Sequence, residues 1–536
     1  MNSQFRIALS KLVILTMINS LLAYLGLSNN LISMKSNTGV NTKLTTRMLW
    51  VVAILTVVFT YINMSQIAPN DFWWHMAVGR DILAAGQIPA VDVYSYTMAG
   101  QPYLSYQMFW LMDIWLYGWF SLCGPELILF IQSLILTSTY LIIFILCWQN
   151  SHKWGVTSFC LIFSILLGIY AWSVRPQTIS FLIGAVFLYA IYAARRGANR
   201  AWLAVFPLGM LVWVNSHGSF PVGLLLLGIW LLDETWQVYE AWRKGRTYPI
   251  QQLIRPALIL LLTAGVCALN PQGLGIISYL ITMASNPAVQ NTVPEWLPPS
   301  FTSPIGPLYF LSILFSAVVL ALSPRRPSLY QLATFVTFAA LGLWTTRGVV
   351  WFGLLMAPIL AEHLSAIRER RPISQQLPLP NQKERILNFG ILCLLFSLAL
   401  ISLPWFRGLI PIKTEYKSPI TQDTPVEAAS FLVEQQPDGR VFNDMAFGSY
   451  LIWAAQPDYQ VFTDPRIELF SQEIWDDYQV ISRAAPGWQQ KLEEYEIQIL
   501  FLNPSVQGQL VERVAQSDQW RLIYQDDTAQ IYHRKQ

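Results

Sequence analysis

Eleven stretches of this chain run for 13 to 22 residues with almost no charge: 49–67, 127–148, 156–172, 178–193, 201–214, 220–232, 257–269, 307–322, 329–344, 349–364 and 386–403. A helix crossing the hydrocarbon core of a bilayer needs about 20 apolar residues, and shorter runs suit thin or tilted settings. Only 12% of the 536 residues are charged, against roughly 25% in a soluble domain. The runs therefore predict a polytopic helical membrane protein. The 22 Trp, 23 Tyr and 28 Phe supply the aromatic residues that favour membrane interfaces. Such a composition excludes disorder. The five cysteines (Cys123, Cys147, Cys160, Cys267, Cys393) lie in apolar segments, where they read as small hydrophobes rather than a disulfide framework or a zinc cluster.

The formal charge of +3 divides unevenly along the chain. From Ile412 onward there are 10 basic and 19 acidic residues, a net of −9; the 24 basic and 12 acidic residues before it give +12. The basic residues recur in short loops, at Lys43 and Arg47, Lys153, Arg195 to Arg200, Arg243 to Arg255, Arg325 and Arg326, and Arg368 to Arg385. Cytoplasmic loops carry such an excess. Placing these loops inside turns five segments outward: 68–125, the Arg175-Pro176 turn, 215–218, 270–303 and 345–347. The acidic tail goes with them. One segment, 103–123, would reverse the count if it crossed, so it is expected to lie in the interface, where its Trp and Tyr residues suit headgroup depth.

The expected organisation is a segment 1–46, a membrane domain 47–405 and a soluble α/β domain 412–536. The first segment holds a further apolar run at 12–27. That run reads as an extra helix, an uncleaved signal-like segment or an over-extended start, since Met34 and Met48 follow it. In the tail, period-two and helical patterns alternate. They predict strands at 440–443, 459–463 and 497–502, a hairpin at 520–533, and helices at 448–455, 472–483, 488–495 and 506–516.

The first outward loop holds the densest chemistry. It reads Asn70-Asp71-Phe72-Trp73-Trp74-His75, with Asp92 further on. Asp71 places a carboxylate at the bilayer surface beside aromatic faces able to hold a sugar ring or an isoprenoid head. It is either the cap of a helix starting at Phe72 or a base within reach of a nucleophilic hydroxyl. Trp74, His75 and Asp92 are candidate substrate contacts, and Asp92 also suits a turn. Arg175, His217 and Arg347 sit in outward turns. An arginine at a membrane turn is costly unless paired and matches phosphate bidentately, or else it reaches to lipid headgroups. His217 suits either phosphate binding or a helix cap. Glu295 and Trp296, in a Pro-rich stretch, serve either substrate binding or a rigid cover. Asp464 and Arg466 close a predicted strand and either face the acceptor or pair with each other.

An acid just after the first span, an aromatic helix before the second and an outward C-terminal domain resemble the GT-C superfamily of membrane glycosyltransferases. That superfamily includes protein mannosyltransferases, lipid A aminoarabinose transferases and oligosaccharyltransferase catalytic subunits. Asn443 to Ile452 followed by Val461 to Arg466 also resembles the oligosaccharyltransferase layout, without its signature tryptophans. The resemblance implies inverting transfer of a sugar from a polyprenyl-phosphate carrier to a glycan, lipid or protein acceptor, at the outer face of the cytoplasmic membrane. It assigns the base to Asp71, and the donor's phosphate then falls to the cations of the outward turns, Arg175, Arg347 and His217. Many relatives carry two acids where Asn70-Asp71 stands, so a divalent metal is left open and no metal ligands are assigned. Membrane lipids are expected partners and nucleic acid is not. The rival readings are a transporter or flippase, which calls for polar groups mid-span, and a non-enzymatic scaffold of a surface-polysaccharide pathway.

Overall fold

The computed structural model describes residues 46–197, 203–286, 289–290, 293–369 and 382–535. The apolar run at 12–27 and the basic markers at Lys43, Arg200, Arg370 and Arg371 lie outside the described residues. Thirteen helices make up the first part of the chain as described: α1 (Thr46–Asn63), α2 (Phe72–Ala85), α3 (Ser105–Ser151), α4 (Trp154–Gly168), α5 (Thr178–Arg195), α6 (Val205–Val214), α7 (Pro221–Arg243), α8 (Gln251–Val266), α9 (Gly275–Ser285), α10 (Gly306–Leu322), α11 (Leu329–Trp344), α12 (Arg347–Glu369) and α13 (Gln382–Ile401). Over the described residues each of the eleven apolar runs contains a helix. Among the described residues six helical segments are long and apolar enough to cross a membrane by length and composition: those built on α3, α4, α5, α8, α12 and α13. The ten residues of α6 rise only about 15 Å, half a hydrocarbon core. The long loop at 270–303 is not wholly irregular, since α9 lies within it.

α3 is two helices end to end. At Cys123 and Gly124 the backbone leaves helical geometry (φ −146° and 72°), because Pro125 lacks the N–H a continuing helix needs and Gly124 takes the left-handed turn. The break falls at the end of the 103–123 segment, which separates it from the apolar run that follows. The segment packs closely on α2: at Gly79 a Cβ would run into the Asp113 carbonyl, so only glycine fits there.

The helix ends sort the charges. At one end of the bundle Lys153 pairs with Glu369 (3.3 Å), which also meets Arg325 (3.4 Å). Arg195 pairs with Asp233 (2.9 Å), whose other oxygen accepts the Tyr330 N–H (2.9 Å). The 23 residues of α12 extend about 35 Å from that end to Arg347. Arg175, His217, Glu295 and Arg347 all belong to the opposite end.

The tail forms a four-stranded sheet in the order β1-β2-β4-β3, from β1 (Arg440–Asn443), β2 (Ile497–Leu502), β3 (Trp520–Gln525) and β4 (Gln530–Arg534). β1 runs parallel to β2; β4 is antiparallel to β2 and to β3. β2 reads Ile-Gln-Ile-Leu-Phe-Leu and is buried on both faces, as a near-continuous apolar strand should be. Helices α14 (Val426–Gln435), α15 (Met445–Ala455), α16 (Gln472–Ser482), α17 (Trp488–Glu494) and α18 (Gly508–Ala515) surround it. The segment 459–463 does not join the sheet, contrary to the sequence pattern. Its one bridge is a parallel pairing of Val461 with Ser95 of the first loop, in which the Val461 N–H reaches the Tyr94 carbonyl (3.0 Å) and the Tyr96 N–H reaches the Val461 carbonyl (3.2 Å).

That pairing belongs to a larger union. Phe72, Trp73, Met76, Tyr94 and Tyr106 share one buried core with Phe442, Phe447, Phe462, Leu500 and Phe501, while the bundle keeps a core of its own. The first loop and the tail thus fold together. Arg407, in the turn Pro404–Leu409 that precedes the tail, is buried and donates to the carbonyls of Asn63, Ser65 and Ser418. It places a cation on the last carbonyls of α1, the end where a helix dipole favours one.

Candidate active site

Asp71 stands at the first turn of α2 but does not cap it. The Phe72 N–H goes to the Asn70 side-chain oxygen (3.0 Å), and the Asp71 carboxylate takes no capping bond. Its Oδ2 lies 3.7 Å from Arg175 Nε, with 30% of the side chain accessible. Of the two roles open to Asp71 from the sequence, Asn70 performs the cap and Asp71 is left beside Arg175. Ser449 of α15 holds this turn, donating to the Asn70 carbonyl (2.6 Å) and accepting from the Trp74 N–H (3.0 Å).

Glu295 lies between two arginines. One oxygen meets Arg175 Nη1, and the other meets Arg347 Nη2 (3.2 Å) and Nε (3.3 Å). Its backbone carbonyl also accepts the Arg347 N–H (3.1 Å) and the Thr345 hydroxyl (2.9 Å). Trp296 covers the Arg347 guanidinium at 4.9 Å. Next to this carboxylate a cleft of about 420 Å³, open mouth included, is lined by Tyr170, Gln177, His217, Glu295, Arg347 and Trp351 among others.

The electrostatics follow from this arrangement. Enclosure by protein raises the Asp71 pKa, Glu295 and Asp464 add to the rise, and Arg175 and Arg347 oppose it. For Glu295, burial also disfavours the charge, but the two arginines outweigh it and hold the carboxyl below its ordinary range. Burial lowers the His217 pKa to about 3, with Arg347 and Arg175 contributing. His217 Nδ1 accepts the Ser219 N–H (3.1 Å), so the neutral ring carries its proton on Nε2. The sequence expectation of a phosphate-binding cation at His217 becomes a neutral N–H donor.

Asp92, Asp464 and Arg466 come together away from solvent. All three side chains have 0% exposure. Arg466 forks onto Asp464 through Nη2 (2.6 Å) and Nε (2.8 Å) and reaches Asp92 through Nη1 (2.5 Å). Asp92 also accepts from Ser95 (2.6 Å) and Tyr106 (3.0 Å), and the Tyr94, Tyr103 and Tyr106 rings surround the guanidinium. For these three residues, expected as substrate contacts, the geometry gives a closed ion cluster joining the first loop to the tail. Trp74 and His75 are likewise buried, stacked on each other at 3.6 Å.

Two acids near Asp71 were not singled out from the sequence. Glu468 accepts from Tyr103 (2.6 Å) and Ser105 (3.0 Å), and burial, assisted by Asp71, raises its pKa. Asp113 meets His75 Nδ1 at 2.7 Å. A lone acid in the aromatic 103–123 segment was the available signal for Asp113. Nothing local marks Glu468. Among the described residues no group of three or more His, Cys, Asp or Glu side chains is placed to hold a metal ion.

No protein-family model and no curated protein matches the chain. Among the solved structures that match it are two of ArnT from Cupriavidus metallidurans. The one bound to undecaprenyl phosphate is 12% identical, with a TM-score of 0.46, over 90% of this chain and 97% of that one. The apo structure is 13% identical, with a TM-score of 0.45 over the same shares.

Proposed function

We propose that this protein is a membrane glycosyltransferase that moves a sugar from a polyprenyl-phosphate carrier to an acceptor hydroxyl, with inversion at the anomeric carbon. The observation that carries the reading is the Glu295 carboxylate held between Arg175 and Arg347, beside the uncapped Asp71. Two guanidiniums converging on one oxyanion match a phosphate group in shape and charge. In the reaction Asp71 accepts the acceptor's hydroxyl proton while that oxygen attacks the anomeric carbon. The carbon–phosphate oxygen bond breaks on the opposite face, and its electron pair leaves on the phosphate, where Arg175 and Arg347 stabilise the added charge. The His217 Nε2–H supplies a further donor in the same cleft. The raised Asp71 pKa makes it a stronger base than an ordinary carboxylate, and the neighbouring arginine keeps the ionised form accessible.

Entry of the donor also has a physical basis. The aromatic first half of α3 lies beside the site and suits the membrane interface, where an isoprenoid chain can lie along it. The paired basic residues at the far end of the bundle favour a cytoplasmic location for that end, which supports an outer-face location for the cleft and the tail. The test is binding of undecaprenyl phosphate to the purified protein in nanodiscs. Arg175→Gln and Arg347→Gln are each expected to weaken binding about tenfold or more, as loss of a charge-assisted hydrogen bond does. Unchanged affinity in both variants would remove the phosphate from this cleft.

A further inference from the structure

His75 and Asp113 take no part in the transfer scheme, yet they lie beside its base. His75 follows Asp71 by one turn on α2, on the same face. Its Nδ1 is 2.7 Å from Asp113 Oδ1, with side-chain exposures of 3% and 0%. Trp74 stacks on the imidazole, Phe109 meets its edge at 4.9 Å, and Phe109 also touches His217. The charged and titratable groups around the ring are Asp71 on its own helix, Asp113 on α3, Arg175 after α4, His217 after α6, and Arg466 in the tail.

The proton count follows from what the pair lacks. Asp113 Oδ2 is buried without a hydrogen-bond partner, so an ionised Asp113 would leave half its charge unsatisfied in a sealed space. Burial pushes the Asp113 carboxyl up and the His75 imidazole down. Two neutral groups 2.7 Å apart then share one hydrogen, carried by the carboxyl and accepted at Nδ1, and the imidazole keeps its own proton on Nε2. The ring's bond to Asp113 runs through Nδ1, which leaves the Nε2–H pointing away from that carboxylate. The Trp74 indole N–H, 4% exposed, is buried without a hydrogen-bond partner. A buried N–H without a partner, on a ring stacked against His75, calls for an oxygen acceptor there.

We propose that Asp113 donates to His75 Nδ1 and thereby fixes neutral His75 as an Nε2–H donor to hydroxyl oxygens of the sugar held at Asp71. Asp113 is a positioning residue: it sets the tautomer and the ring orientation, and no proton leaves the pair during transfer. The ligand half rests on the transferase reading, whereas the tautomer half does not.

Nitrogen-15 spectra of the full-length protein labelled in histidine test the tautomer, with His75→Gln identifying the signal. From about pH 5.5 to about pH 8, His75 is expected to show an unprotonated Nδ1, a protonated Nε2 and no titration. Asp113→Leu should release the ring into a mixture of tautomers. A protonated Nδ1, or an imidazolium appearing in that range, overturns the proposal. In transfer from polyprenyl-phosphate hexoses, His75→Phe should raise KM about tenfold or more while thermal stability is retained. Asp113→Asn, whose amide can still donate to Nδ1, should stay within about threefold of wild type. An unchanged KM in His75→Phe overturns the sugar contact. If wild type transfers none of these sugars while the spectra are as expected, the transferase reading falls, the sugar contact falls with it, and the tautomer stands.

Discussion

On the proposed reading Glu295 occupies the position that the leaving phosphate would take, which makes Glu295→Gln informative. The side-chain exposures of Arg175, Glu295 and Arg347 are 21%, 29% and 31%, so the pairings are neither dry nor fully screened. At an effective dielectric near 20 and about 3.5 Å, one charge pair is worth roughly 5 kcal/mol before desolvation is counted. Solvent access and the cost of stripping water from both partners reduce the net to about 1–2 kcal/mol. A phosphate must displace that interaction, and a neutral glutamine offers far less resistance. The loop stays in place, because its position depends on the Glu295 carbonyl, which accepts from Arg347 and Thr345, and on Leu297, whose carbonyl accepts from Thr346. Undecaprenyl phosphate should therefore bind Glu295→Gln about five- to thirtyfold more tightly, measured by calorimetry in nanodiscs at fixed salt. Weaker binding would refute the reasoning, since it would mean that Glu295 organises the two arginines for the ligand instead of competing with it.

Two further outcomes follow from the same geometry. Arg466→Met leaves Asp92 and Asp464 buried without their cation, which should cost about 3–5 kcal/mol and appear as a large fall in Tm; a change within experimental error would remove the cluster as the clamp between loop and tail. Asp71 has a pKa raised by folding, so the folded protein holds that proton more tightly than the unfolded chain does. Its contribution to stability is then greatest below the unfolded pKa and is lost as pH rises through the folded value. Asp71→Asn should accordingly raise Tm at neutral pH, with the gain disappearing below about pH 4, in a thermal melt followed across pH.

Much of this architecture was legible because it is written locally. Apolar runs set the helices, and β2, apolar except for Gln498, reads as a buried strand. The hairpin of β3 and β4 was likewise visible around Asp526-Asp527. What escaped depends on partners far away in the chain. Residues 459–463 have a strand-like pattern, but their bonding partner is the first loop. Asp464 and Arg466 could be read as an ion pair, but their link to Asp92 of the first loop appears only when the fold brings them together. The same holds for Asp71: the residues next to it cannot tell a cap from a base, and the difference lies in Asn70 taking the Phe72 N–H. Charge state was the least legible property, because burial, with Arg347 and Arg175, lowers the His217 pKa to about 3 and keeps the ring neutral well below the range where an ordinary imidazole takes up a proton.

The central claim is that the carboxylate of Asp71 removes the acceptor's proton in transfer from a polyprenyl-phosphate sugar. It is tested most directly by single-turnover transfer in proteoliposomes, comparing wild type with Asp71→Asn, which keeps the size of the side chain and removes the base. Wild type is expected to transfer the sugar with inversion, and Asp71→Asn to bind the donor but lose transfer by about 10²-fold or more. Transfer by Asp71→Asn at the wild-type rate would contradict it.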